Sequence, residues 1–213
     1  MSLTQSHHVF AGVAESGINT FLRALCTARG HYINYGSSAF VPVSTAAATN
    51  MDPIPFPGVP GGIQWAVRLT TPVLDLFPDS SGGSSPLPPT ANTFNLHTKA
   101  TIQIGCATWE GQDRGHVTPL ATTLDVWALG EVIPHYFGPG TGFVSLKIDR
   151  VLLPEIRPAS LEQVLECLLR MVLAAALQNV SLPFTPFSLG AFQLILERGP
   201  EISDNQIKVW GSI

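Results

Sequence analysis

Residues 158–209 read PASLEQVLECLLRMVLAAALQNVSLPFTPFSLGAFQLILERGPEISDNQIKV, and this stretch decides the fold predicted for the chain. Ser160 and Gln163 have the spacing of a capping box, which marks the start of a helix. Apolar residues then recur every three or four positions, the helical period; they are Leu161, Val164, Leu165, Leu168, Met171, Val172 and Ala175. Because residues 171–177 are apolar on every side of the helix, we expect the rest of the chain to bury that part all round.

The segments that alternate apolar and polar residues are the candidates for covering this helix. Pro183 and Pro186 end the helical pattern, and strands are predicted after them, at residues 192–197 and 206–209, with a turn between the two. The same alternation predicts earlier strands over residues 63–69, 94–109, 124–128 and 144–148. Short connections between such strands favour antiparallel pairing. A helix is also predicted near the N-terminus, over residues 9–25.

The charge of the chain argues against a nucleic-acid partner, and the length of its apolar run argues against a transmembrane segment. Charged residues make up 12% of the sequence and the net charge is −4, with no run of basic residues. We therefore expect no nucleic-acid partner, because affinity for nucleic acid rests on neutralised phosphates. The apolar run of the long helix is too short to cross a bilayer, so no transmembrane segment is expected.

The location predicted for the chain is cytoplasmic. Cys26, Cys106 and Cys167 are far apart and form no C-x-x-C pair, so they are expected to be small, reduced core residues. The N-terminus lacks the basic and apolar regions of a signal peptide.

No catalytic or metal-binding motif is apparent, and the chain is predicted to be no enzyme, with no cofactor and no metal site. The sequence contains no G-x-S-x-G elbow, no H-E-x-x-H pair and no phosphate-binding loop. His116 and His135, with Asp125 between them in sequence, leave a hydrolase as a minor alternative. The more common interpretation of both histidines is as surface residues.

Two loops are predicted to be flexible within a single domain that spans residues 1–213. One lies near residues 79–92 and contains the low-complexity stretch SSGGSSPLPP. The other lies near residues 46–62 and contains Pro53, Pro55, Pro57 and Pro60, which favour extended geometry. This second loop is either a ligand for a proline-binding domain or a rigid connection.

The order of elements resembles the tubular lipid-binding superfamily. The residues that carry the resemblance are Leu182-Pro183-Phe184, the hairpin that follows over residues 189–209, and the opening helix Ile18-Asn19-Thr20-Phe21-Leu22. The resemblance implies an α+β fold, in which a strongly curved antiparallel β-sheet wraps around the long α-helix of the C-terminal half, plus an N-terminal helix. It also implies a tube that holds acyl chains. Unlike the secreted members, this chain shows no signal peptide, which favours an intracellular, bacterial-type relative.

The function predicted first is non-enzymatic binding of a lipid or another hydrophobic small molecule in an apolar tube between helix and sheet. The candidate ligand-binding residues are Trp65, Val67, Leu69, Ile102, Ile104, Leu168, Leu169, Val172, Phe192 and Leu194. The alternative is a structural or protein-interaction module of a multi-protein assembly, with a filled core and a protein partner. Each candidate residue is also compatible with ordinary core packing.

Native mass spectrometry of the gently purified protein tests the lipid prediction. A carrier should retain a bound lipid, because an apolar ligand enclosed in a tube leaves slowly, and the measured mass should exceed that of the chain. Organic extraction should then release the ligand. A clean mass of the chain alone, with no lipid in the extract, would contradict the carrier hypothesis.

Overall fold

A computed structural model describes residues 4, 6–41, 46–78, 85–106, 120–138, 140–154, 159–178, 182–189 and 192–213. Its helices are α1 (Glu15–Ala28) and α2 (Ala159–Gln178), with a short 3-10 helix at Gly30–Tyr32. The first six strands are β1 (Val9–Ala14), β2 (Asn34–Gly36), β3 (Thr49–Asn50), β4 (Ile63–Leu69), β5 (Val73–Leu76) and β6 (Thr93–Cys106). The others are β7 (Leu120–Gly138), β8 (Thr141–Leu152), β9 (Leu182–Phe184), β10 (Phe187–Leu189), β11 (Phe192–Ser203) and β12 (Gln206–Ser212).

The predicted fold class is wrong, because the chain is mainly β-sheet. Strands make up 53% of the structure, so it is not an α+β fold in which a curved sheet wraps around a long helix. The strands predicted from alternation are confirmed where the structure describes them, and Ile63–Leu69 coincides with β4. Residues 107–109 of the strand predicted over 94–109 lie outside the described residues. Period-two patterning therefore located several strands correctly, whereas the wrapping of the helix was an error.

The described side chains of α2, which end at Ala174, are buried on one side of the helix and exposed on the other, and this is the physical reason for the correction. Leu168 and Leu169 are 7% and 0% exposed and Val172 is 3% exposed, whereas Met171 in the same turn is 59% exposed. The buried side faces β8. A helix with this exposure needs one sheet face to cover it, so its apolar composition did not require enclosure.

The N-terminal helix exists, but it begins later than predicted. Residues 9–14 form strand β1, and α1 begins only at Glu15. Strand β1 pairs with β12, from Val9 opposite Gly211 to Ala14 opposite Gln206. This pairing joins the two ends of the chain, so no local pattern could indicate it.

The contacts divide the chain into two compact units, and the prediction of a single domain stays a prediction. The first unit contains the described residues of Met1–Thr20, Val73–His97 and Trp127–Ile213. It holds a four-stranded sheet in the order β1-β12-β11-β10, the pair of β5 with the beginning of β6, and the end of β7 with β8 and β9. Its core includes Phe94, Leu76, Leu153, Leu169 and Ile202, each no more than 1% exposed.

The second unit contains the described residues of Phe21–Pro72 and Thr98–Val126. Its strands follow the order β3-β2-β4-β6, and the beginning of β7 lies next to β6. Tyr35 on β2 is 4% exposed and its hydroxyl donates to the Tyr32 carbonyl at 2.9 Å. Burial is the main cause that raises the pKa of Tyr35 to about 12.

Side chains of α1 close the outer edge of β5 in the first unit. Asn19 Nδ2 donates to the Leu74 carbonyl, and the Leu74 amide donates to Asn19 Oδ1, both at 2.8 Å. The Leu76 amide donates to Glu15 Oε2, also at 2.8 Å. An edge strand needs such partners because its free amides and carbonyls otherwise pair with other chains.

Two neighbouring substitutions in α2 test its one-sided packing. Val172→Asp places an unpaired carboxylate among buried apolar side chains and should cost several kcal/mol, comparable with the whole stability of a domain. Met171→Asp alters an exposed position and should change the free energy of unfolding by less than about 0.5 kcal/mol. Urea denaturation of both variants checks this, and equal losses would contradict the packing described.

Candidate interaction surface

The ten residues predicted to bind a ligand fall into both units. Five belong to the second unit: Trp65, Val67, Leu69, Ile102 and Ile104. The other five belong to the first unit: Leu168, Leu169, Val172, Phe192 and Leu194. The two groups are therefore considered separately.

The second-unit group lies on the paired strands β4 and β6, where all its members are buried except Ile104, which is half-buried. In the register of β4 with β6, Trp65 lies opposite Ile104 and Val67 lies opposite Ile102. Val67 and Ile102 are 0% and 1% exposed. These side chains are brought together as core, and burial of this kind is what packing against neighbours alone produces.

The first-unit group is described only in part. Leu168, Leu169 and Val172 lie on the buried side of α2. Phe192 and Leu194 are in β11, but their side chains lie outside the described part of the structure. The lipid site therefore stays a prediction.

No contact that the structure describes joins the residues considered for hydrolysis to one another. His135 Nε2 lies 2.9 Å from Ser145 Oγ across the β7–β8 pair, and the His135 ring stacks on Phe143 with a centroid distance of 4.4 Å. Asp125 also lies on β7, and His116 is outside the described residues. An imidazole beside a hydroxyl can accept a proton, but stacking on a hairpin explains the position of His135 equally well. The prediction that the chain is no enzyme stays a prediction.

Within the described residues, no group of three or more His, Cys, Asp or Glu side chains is placed to hold a metal ion. Cys26 is buried and Cys167 is exposed, and both are free thiols. Cys167 thus differs from the core position expected for it. Burial raises the pKa of the Cys26 thiol, which makes it a poorer nucleophile at neutral pH.

A compact apolar loop lies between β3 and β4, in the second unit. We call residues 51–62, with the sequence MDPIPFPGVPGG, the proline loop. Gly58 and Gly61 have φ angles of +80° and +77°. The Val59 amide donates to the Phe56 carbonyl at 3.2 Å, and the Gly62 amide donates to the Val59 carbonyl at 3.0 Å. Proline followed by a glycine of positive φ, closed by such a bond, is a type II turn, so the loop contains two consecutive type II turns.

Hydrogen bonds fasten both ends of the proline loop. The Met51 amide donates to the Gly36 carbonyl of β2 at 2.8 Å. The backbones of Ile54 and Ile63 exchange two hydrogen bonds, of 3.0 and 2.8 Å. Trp65 Nε1, from the core side of β4, donates to the Asp52 carbonyl at 3.1 Å. These bonds connect the loop to β2 and β4, and its predicted flexibility, like that of the loop near residues 79–92, stays a prediction.

The proline loop presents apolar side chains to solvent. Met51 is 39% exposed, Ile54 is 41% exposed and Phe56 is 55% exposed. Pro55, Pro57 and Pro60 are exposed as well. Asp52 is the only charged residue of the loop, so the loop offers a nearly uncharged surface.

The sequence interpretation recognised the prolines of this loop but not its turns. The signal was present, because Pro57-Gly58 and Pro60-Gly61 are Pro-Gly dipeptides three residues apart. Each dipeptide alone predicts a type II turn. Two of them in succession predict a folded loop rather than an extended one.

Comparison with known protein families and with curated protein sequences finds no match. Among the described residues, no helix has both the length and the apolar character that crossing a membrane requires.

Two glycine substitutions in the proline loop test its geometry. Gly58→Ala and Gly62→Ala both place a Cβ at positive φ, which costs roughly 1 kcal/mol. A Cβ at Gly58 meets no atom within 4 Å, whereas a Cβ at Gly62 would lie 2.5 Å from the Ile54 carbonyl oxygen. We expect Gly62→Ala to lower the melting temperature clearly more than Gly58→Ala. Equal melting temperatures would contradict the close approach of Ile54 and Gly62.

Proposed function

We propose that the chain is a non-enzymatic protein-interaction module of a multi-protein assembly, and that the proline loop is the part that docks. The observation that carries this proposal is the exposure of Met51, Ile54 and Phe56 on a loop held by two type II turns. The partner has an uncharged groove, lined by apolar and aromatic side chains, that accepts residues flanked by proline.

The energy of such an interaction comes from the exposed side chains. Complete burial of a Met, Ile or Phe side chain is worth roughly 1.5–3 kcal/mol each. Because the hydrogen bonds of the loop are already formed, the partner orders little additional backbone on binding. An apolar surface that is rigid before binding is thus a favourable docking element.

The low charge of the chain supports a protein partner of this kind. Only 12% of the residues are charged, and the proline loop contains a single carboxylate, Asp52. A partner groove therefore has little charge to neutralise. Contact through apolar side chains, rather than ion pairs, predicts an association that depends weakly on salt.

Photo-crosslinking from the loop tests the proposal. A photoreactive phenylalanine analogue at position 56, introduced into the protein in its native cells, should crosslink to one defined protein. The matched control is the same analogue at Phe137, which is 75% exposed in the first unit. Position 137 should not give that crosslink.

The affinity of the partner found in this way should then depend on the loop. Phe56→Ser should weaken binding by roughly tenfold or more, which corresponds to about 1.4 kcal/mol, and leave the melting temperature unchanged. Phe137→Ser should leave the affinity unchanged. Identical crosslinks from the two positions, or full affinity of the Phe56→Ser protein, would contradict the proposal.

A further inference from the structure

The outer edge of β1 is a strand edge that no other described strand covers. β1 is the first strand of the sheet β1-β12-β11-β10, and no described strand other than β12 pairs with it. Residues 11–14 are all exposed, and Val13 is 53% exposed. The sequence of β1, VFAGVA, contains no charged residue and no proline. Charged residues and prolines are what usually protect a strand edge from pairing.

The register of β1 shows which backbone groups point outward. The pairing with β12 runs without a bulge from Val9 to Ala14, and the Glu15 amide continues it by donating to the Asn205 carbonyl at 3.0 Å. In an antiparallel pair, residues alternate between those that bond the neighbour and those that do not. Odd-numbered residues therefore bond β12, and the amides and carbonyls of Phe10, Gly12 and Ala14 point away from the sheet.

The described residues close another strand edge, but none of them is seen to bond the outer edge of β1. At β5, the side chains of Asn19 and Glu15 bond the free backbone groups. At β1, the described residues that precede the strand turn in the opposite direction. His7 Nδ1 lies 2.9 Å from Glu197 Oε2 of β11, which is beyond β12 and away from the outer edge.

We propose that this edge pairs antiparallel with the β1 edge of a second copy of the chain. A two-fold pairing of this kind brings the same strand together from both copies. Centred on Gly12, it places the large side chain of Phe10 opposite the small side chain of Ala14 in the other copy. VFAGVA carries no charge, so two copies meet without like-charge repulsion. The four-stranded sheet of one copy then joins the same sheet of the other copy, and the two form one continuous sheet.

Sedimentation velocity over a range of concentrations tests the pairing. The wild-type protein should change from monomer to dimer as concentration rises. Ala14→Pro removes an outward amide without removing a bond to β12, and Ala11→Lys adds an edge charge at an exposed position. Each should weaken dimerisation by roughly tenfold or more. The control Val13→Thr keeps the shape of the side chain and every backbone hydrogen-bonding group. Dimerisation of this variant should therefore equal that of the wild type.

Amide hydrogen exchange gives a second readout, which does not depend on the folding of the proline variant. In the dimer, the amides of Phe10, Gly12 and Ala14 should exchange slowly. In the Ala11→Lys monomer, the same three amides should exchange fast. The Val13 amide, which bonds β12, should be protected in both. A wild-type protein that stays monomeric at roughly 1 mM, or a dimer in which Phe10, Gly12 and Ala14 exchange fast, would overturn the proposal.

Discussion

The register of β6 is the constraint on which the rest of the structure depends. Phe94, Leu96, Thr98, Ala100 and Ile102 are each no more than 4% exposed. The strand contributes its residues up to 97 to the first unit and those from 98 onward to the second. A shift of one residue would turn this whole set to the other face. Both cores therefore require the same register of one continuous strand.

Sequence patterns predicted strands such as β4 well because alternation reports local burial directly, whereas residues 9–14, predicted as helix, form β1. β4 matches residues 63–69, and α2 begins at Ala159, one residue before the predicted cap at Ser160. The extent of burial around α2 was not predictable from its composition. Met171 and Val172 are both apolar, yet one is exposed and the other is core. Only the position of β8 determines which side is covered, and that position depends on contacts between distant residues.

The residues of the candidate site were also only partly predictable from the sequence. Apolar residues in alternating strands, such as Val67 and Ile102, identify a core, but the pattern does not distinguish a filled core from a lined cavity. Exposed apolar residues such as Phe56 follow no period at all, so periodicity cannot find them. Turn chemistry can, since Pro-Gly pairs specify a backbone conformation independently of burial. Sequence analysis of loops therefore depends more on dihedral preferences than on hydropathy.

The closure of β5 by α1 has a consequence for how the protein tolerates change. Two side chains perform the task that a neighbouring strand performs elsewhere: Asn19 supplies both a donor and an acceptor to Leu74, and Glu15 supplies an acceptor to Leu76. Backbone pairing survives most substitutions because every residue carries the same groups, whereas this closure is lost with a single side chain. Loss of the Asn19 side chain would therefore free an edge of β5 for pairing with other chains, even where the hydrophobic core is intact.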